Sequence, residues 1–274
     1  MKAINNILFI FIFVFIFSSC YKKDEGCTDI NAMDYDVEAD KQCDDDCCNY
    51  PDLDINMSLI SDSTEIDTNT ILTDDFGNNF IISFLRIYLS DFKLYDENGN
   101  QVPTQNDLTY YKITNDQTKA TTINSSILKY NIEEDVDYSI GEVLERDICN
   151  SLTFNFGIDS IINHSNTDKL STSSPLYIVS DSMHISISEG FYFLKMILKD
   201  TNSVQLKEIN IFGDKNLTKI TLDDTFDFTA RENHTIKINI DQKSLFSNIN
   251  TFSDNSESII EKLLLNLPSS IHKD

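Results

Sequence analysis

The sequence predicts an all-β protein: an antiparallel β-sandwich preceded by a small disulfide-rich module and closed by a short helix. Three observations lead there. Strand-forming Phe, Ile, Thr and Tyr and turn-forming Asn and Asp dominate, with seven Gly and four Pro in 274 residues. Apolar and polar residues alternate in several runs, most clearly Leu152, Phe154, Phe156 and Ile158 against Thr153, Asn155 and Gly157. That period of two turns one face to a core and the other to water. Near the end, Ile259, Ile260, Leu263, Leu264 and Leu267 within residues 256–267 recur at helical spacing, an amphipathic closing helix.

The length allows one large or two small domains and buries a sizeable core without help from disulfides. A formal charge of −24 argues against nucleic acid and anionic membrane surfaces as partners, because both attract basic patches. It suits an extracytoplasmic protein, or one that attracts cations.

Residues 1–19 read as a signal peptide. Lys2 is a minimal positive start, and Ile7 to Phe17 is an apolar run too short for the roughly twenty residues that a bilayer span needs. The run ends Phe17-Ser18-Ser19-Cys20, which resembles a bacterial lipobox with Phe in place of the usual Leu. The resemblance implies lipidation at Cys20, and two or three acyl chains hold a protein stably on a membrane. The expected location is the outer membrane, lipid-anchored and facing the periplasm or the cell surface, with the membrane and an envelope protein as partners.

Residues 20–50 form the anchor and a Cys/Asp-rich module. GCTDINAMDYDVEADKQCDDDCCNY resembles a short secreted repeat, Gly-Cys-Thr-Asp followed by spaced Ala, Tyr and Asp and a closing Cys. Four cysteines in about 25 residues, in an oxidising compartment, argue for two disulfides stapling a module too small for its own core. Cys27, Cys43, Cys47 and Cys48 allow three pairings. The preferred one joins Cys27 to Cys47 and Cys43 to Cys48. Cys149 is left over, a buried thiol before the central strand. Thiolate binding of a soft metal by CDDDCC, or calcium binding by the aspartates, competes with this reading. The calcium case lacks EF-hand spacing and its positional Gly, and a solvated acidic loop explains the aspartates as well.

Residues 51–274 are read as the sandwich. Leu53, Ile55, Met57 and Leu59 alternate over a first strand. Phe80 to Tyr95 is long and apolar and stops at the turn signal Glu97-Asn98-Gly99, with residues 108–114 as its expected return strand. Residues 126–131, 136–140, 204–212, 217–222 and 235–240 read as further strands. Met183, Ile185 and Ile187 alternate with His184, Ser186 and Ser188, and Glu189-Gly190 permits a reversal into Phe191–Leu198, which reads as apolar on both faces apart from Lys195.

The runs FNFGIDSIIN and SMHISISEGFYFLKM, with YLSDFKLYDENG and IFGDKNLTKITL, resemble the MbnP-like family of secreted copper-binding β-sandwich proteins. The resemblance implies the sandwich, a non-enzymatic role and copper as the bound metal. Ile185 and Ile187 stand where that family carries tryptophans, and the chain has no Trp. Phe212 stands where the family carries a His before Gly.

Catalytic motifs are missing: there is no Gly-rich phosphate loop, no Gly-x-Ser-x-Gly elbow and no His-Glu-x-x-His. The pair Asp159-Ser160 is read as a cap on the turn after its strand, not as part of a hydrolase. Metal binding is the sharper expectation, since imidazole is a common copper ligand. His164, in the loop after the Asp-Ser turn, His184, on the polar side of its strand, and His272, near the end of the chain, are the candidate ligands. His234 precedes a strand. The expected function is thus copper binding at the cell envelope, with a surface binding or adhesion domain that has lost the metal site as the alternative. Convergence of the histidines decides between the two.

Overall fold

A computed structural model describes residues 23–44, 47–114, 117–177 and 182–274. The signal-peptide and Cys20 expectations lie outside the described residues. The chain divides into two compact units between Asn49 and Tyr50.

In the first unit, two-residue strands Glu25–Gly26 and Lys41–Gln42 pair in parallel, and Cys27 bridges Tyr35. The two disulfides are Cys27–Cys48 and Cys43–Cys47, with Cα separations of 5.1 and 6.1 Å. All four cysteines are therefore oxidised, which closes the soft-metal alternative in this form. The pairing differs from the preferred one. The Cys43 amide is tied to the Gly26 carbonyl at 3.0 Å, next to Cys27. The bonded cysteines are 21 residues apart in one pair and four in the other.

Among the described residues, the second unit holds two sheets with one core between them. The first sheet has six strands. Its centre is β1 (Asp52–Ser61), which sends Leu53, Ile55, Met57 and Leu59 inward. The nine-stranded sheet is organised around β2 (Asn79–Asp96), eighteen residues long. One hairpin, β3 (Asp107–Thr114) and β4 (Gln117–Asn124), belongs to neither sheet. The expected return strand is thus corrected: β3 pairs with β4. After the Asn98-Gly99 turn only Gln101–Val102 pairs back on β2, because Pro103 offers no amide to continue the ladder. The longer partner of β2 on that side is β5 (Ile127–Asn131).

Next come β6 (Asp137–Val143), on β1, and β7 (Ile148–Phe156), on β2. Helix α1 (Ser160–Asn163) leads towards the hairpin of β8 (His184–Ser186) and β9 (Gly190–Asp200). Beyond it lie β10 (Leu206–Phe212) and β11 (Thr218–Asp227), which pair with β9 and β7. Strand β12 (His234–Asp241) lies parallel to β1, the one parallel pairing among the described sandwich strands. Helices α2 (Gln242–Leu245) and α3 (Ser256–Ser270) and strand β13 (Ile271–Lys273) finish the chain. Helix α3 is capped by the Asn255 side chain, which accepts the Ser258 amide at 2.8 Å, and buries Ile259, Leu263 and Leu267.

Strand β9 corrects a second expectation. Its register shifts between Tyr192 and Leu194. Phe191 before the shift, Phe193 within it, and Leu194, Met196 and Leu198 after it are all buried, while Tyr192, Lys195 and Ile197 are only partly so. A bulge, rather than two buried faces, thus makes the unbroken apolar run.

Both ends of β2 carry the same five-residue turn. Asp74-Asp75-Phe76-Gly77-Asn78 enters it and Asp96-Glu97-Asn98-Gly99-Asn100 leaves it. In each, the Asp carboxylate accepts two turn amides and the Asn side-chain amide at 2.7–2.9 Å. Gly77 and Gly99 have φ of 84° and 78°, the left-handed backbone that glycine adopts without penalty.

Candidate functional site

The sequence-predicted histidines fall in different places. His164 ends α1. Asp159 caps that helix by accepting the Ile161 amide at 2.9 Å, as expected for a turn-capping Asp. The short helix delivers Ser160, Asn163 and His164 to one carboxylate, Asp214, in the turn between β10 and β11. Ser160 Oγ donates to Asp214 Oδ2 at 2.5 Å and Asn163 Nδ2 to Oδ1 at 2.8 Å. His164 Nε2 lies 3.2 Å from both oxygens. Burial pushes the Asp214 carboxyl up, but the donors Ser160, Asn163 and His164 outweigh it and hold the group below the usual carboxylate range. His164 Nδ1 is 2.8 Å from the Ile187 carbonyl, so both ring nitrogens are engaged.

The same cluster clamps the hairpin. Buried Asn163 accepts the Phe191 amide at 2.8 Å, and a Cβ on Gly190 would lie 2.3 Å from its Oδ1. Glycine at 190 therefore serves the hairpin turn, at φ 77°, and the close approach of Asn163 together.

His184 is half-buried, not solvent-facing as its place on the polar side of β8 suggested. Its ring lies 4.8 Å from that of Phe191, and its Nε2 is buried with no hydrogen-bond partner. Burial lowers its pKa below the ordinary imidazole value, with Asp168 opposing. His184 thus keeps an uncommitted ring nitrogen. His164 touches the turn of the hairpin that carries it. His272 belongs to the other sheet, exposed on β13 opposite Asn239. His234 opens β12 with its ring 5.0 Å from Phe228, beside a cavity of about 280 Å³ over Phe226, Phe228 and Ile236. Among the described residues, no three His, Cys, Asp or Glu side chains are grouped as a metal ion requires. The fold brings His164 and His184 to one end of the nine-stranded sheet and leaves His272 apart.

Asp214 and Asn163 were missed in the sequence. Asp214 sits about fifty residues from its partners, and nothing local in IFGDKN marks it. Phe212, at the place of the family's His, is exposed and packs edge-on against Tyr192 at 5.7 Å.

Comparison with known proteins places this architecture. No curated protein sequence matches the chain. Among solved structures, it is similar to MbnP from Methylosinus trichosporium, at 16% identity and a TM-score of 0.50, over 76% of this chain and 80% of that one. That likeness shows a shared fold. The family model described as MbnP matches residues 50–261, the sandwich up to the middle of the closing helix. On that match over most of its length, the chain belongs to the MbnP family.

Proposed function

We propose that this protein is a lipid-anchored, non-enzymatic copper-binding protein of the bacterial outer membrane. Family membership supports the copper-related role, and the observation that carries it to particular atoms is the orphaned Nε2 of His184 at the end of the sheet that also holds His164. The Nε2 of His234 is orphaned too, but on the other sheet. A half-buried imidazole whose Nε2 has no protein partner fits a copper ligand in the tautomer that carries its proton on Nδ1, because imidazole suits copper and binds through a deprotonated nitrogen. His184 would be the principal ligand and His164 the second, once its Nε2 leaves Asp214. The residues present fit such an open, low-coordinate site and not a closed three-ligand centre. His272, on the opposite sheet, is no part of it.

Isothermal titration of the mature chain at about pH 7.5 should show one copper per chain, weakening towards about pH 5 as imidazoles protonate. His184→Ala should abolish uptake and His272→Ala should leave it intact. A mature chain that takes up no copper, or a His184→Ala variant that binds as wild type does, refutes the reading. The second reading is a surface binding domain that has lost its metal site. The dispersal of the histidines favours it, and a blank titration would support it.

A further inference from the structure

We propose that Ile71, Phe76, Val204 and Leu206 form a docking tip for a partner protein whose contact surface is apolar at its centre and basic at its rim. All four are large apolar residues and stand 65, 58, 97 and 62% exposed. The sheet brings them to one end. Leu72 and Asp200 both pair with Phe80, and Leu206 pairs with Lys199 in the next strand over. Thr201 ties its loop to the turn, donating from its amide and hydroxyl to the Asn79 carbonyl at 3.2 Å.

Phe76 carries the argument. Its twin turn at the other end of β2 has Asn98 at the same position, with the same hydrogen bonds from the same Asp and Asn. The turn therefore has no need of an aromatic residue there. The Phe76 turn is also anchored more firmly than its twin. Asp74 accepts the amide and hydroxyl of buried Thr251 at 2.8 and 2.7 Å, and Asp75 accepts the Asn248 amide at 2.7 Å. A rigid aromatic residue held in water binds without paying the ordering entropy of a loose loop, as contact hot spots do. An exposed apolar cluster of this kind marks an interaction site.

Charge selects the partner. Asp67, Asp75 and Asp200 flank the tip against Lys199, while Lys243 pairs with Asp62 and Lys207 donates to the Asp254 carbonyl. An anionic rim on a chain of charge −24 disfavours both an anionic lipid surface and a second copy of the chain. It fits a basic rim.

The test places a photo-cross-linking amino acid at position 76, and separately at 98, in the full chain in its own cells. The expected result is a protein adduct from 76 and none from 98. The captured peptide should carry Lys or Arg beside apolar residues. The yield in washed envelopes should fall several-fold at about 0.5 M salt, where screening shrinks to roughly 4 Å. Phe76→Asn should lower co-purification of that protein at least tenfold with the melting temperature unchanged. A lipid adduct, a dimer of the chain, equal adducts from 76 and 98, no adduct from 76, an acidic captured peptide, or co-purification unaffected by Phe76→Asn would each overturn the proposal.

Discussion

Replacing Asp74 by Ala tests how the structure holds its turns. The carboxylate is buried and accepts five hydrogen bonds, from the Phe76 and Asn78 amides, the Asn78 side chain, and the Thr251 amide and hydroxyl. Burial raises its pKa, but these donors, led by Asn78 and Thr251, bring it below the ordinary value. In Asp74→Ala the Phe76 amide turns to water, whereas Thr251, fully buried, loses partners for two donors. Each buried unsatisfied donor costs about 1–3 kcal/mol, so the variant should lose roughly 3–5 kcal/mol. For a domain of this size that lowers the melting temperature on the order of 10 °C. Asp96→Ala removes the same local bonds from an exposed turn, where water replaces the carboxylate, and should cost less. The sign with pH follows from the depressed pKa. The contribution of Asp74 is fully present above the unfolded value of about 3.9 and is lost as pH falls through the folded value. Urea unfolding of wild type, Asp74→Ala and Asp96→Ala at about pH 7 and pH 3 measures both effects. Equal midpoint shifts for the two variants at neutral pH, or a gap between wild type and Asp74→Ala that does not shrink in acid, would refute the reasoning.

Other outcomes follow from the structure and the sequence. Gly157→Ala should destabilise by about 3 kcal/mol, because φ is 101° and the new Cβ would meet the Phe193 ring at 2.4 Å. Gly77→Ala, at φ 84° with open space, should cost only about 1–2 kcal/mol; equal losses in thermal melts would contradict the clash. Native protein at about pH 8 should resist thiol alkylation, since Cys149 is buried and its pKa is pushed up to about 12 by burial and then by Asp147 and Asp96. Denatured but unreduced chain should take one label at Cys149, and labelling of Cys27, Cys43, Cys47 or Cys48 by mass spectrometry would break the disulfide assignment. Cys20→Ala should release the protein from membranes or leave its precursor uncleaved; detergent partitioning of wild type into the aqueous phase would end the anchor reading.

Much of the fold was legible because it is written in local periodicity. The alternation in 53–59 and 152–158, the Asn-Gly turn after Tyr95, the 3/4 spacing of the closing helix and the Asp159 cap each depend on residues a few places apart. The MbnP family motifs were legible for the same reason. Four cysteines in one short acidic segment announced two disulfides, yet not their pairing, which depends on which sulfurs the folded backbone brings together. Periodicity also could not reveal the bulge in β9, because a shift of one residue leaves the run apolar while exchanging its faces. Nor could it reveal that β3 pairs with β4 instead of β2, since strand partners are chosen in space.

The site was decided almost wholly by tertiary structure. The sequence supplied four scattered histidines; the fold committed both nitrogens of His164 to Asp214 and Ile187, buried the Nε2 of His184 against Phe191, and carried His272 to the other sheet. What a side chain can bind depends on which lone pairs packing leaves free, and packing is settled by contacts between residues tens to hundreds of positions apart. The sequence determined which strands and turns this chain can make, and only tertiary contacts between distant hairpins, turns and strands decided which nitrogens and which aromatic ring were left unclaimed.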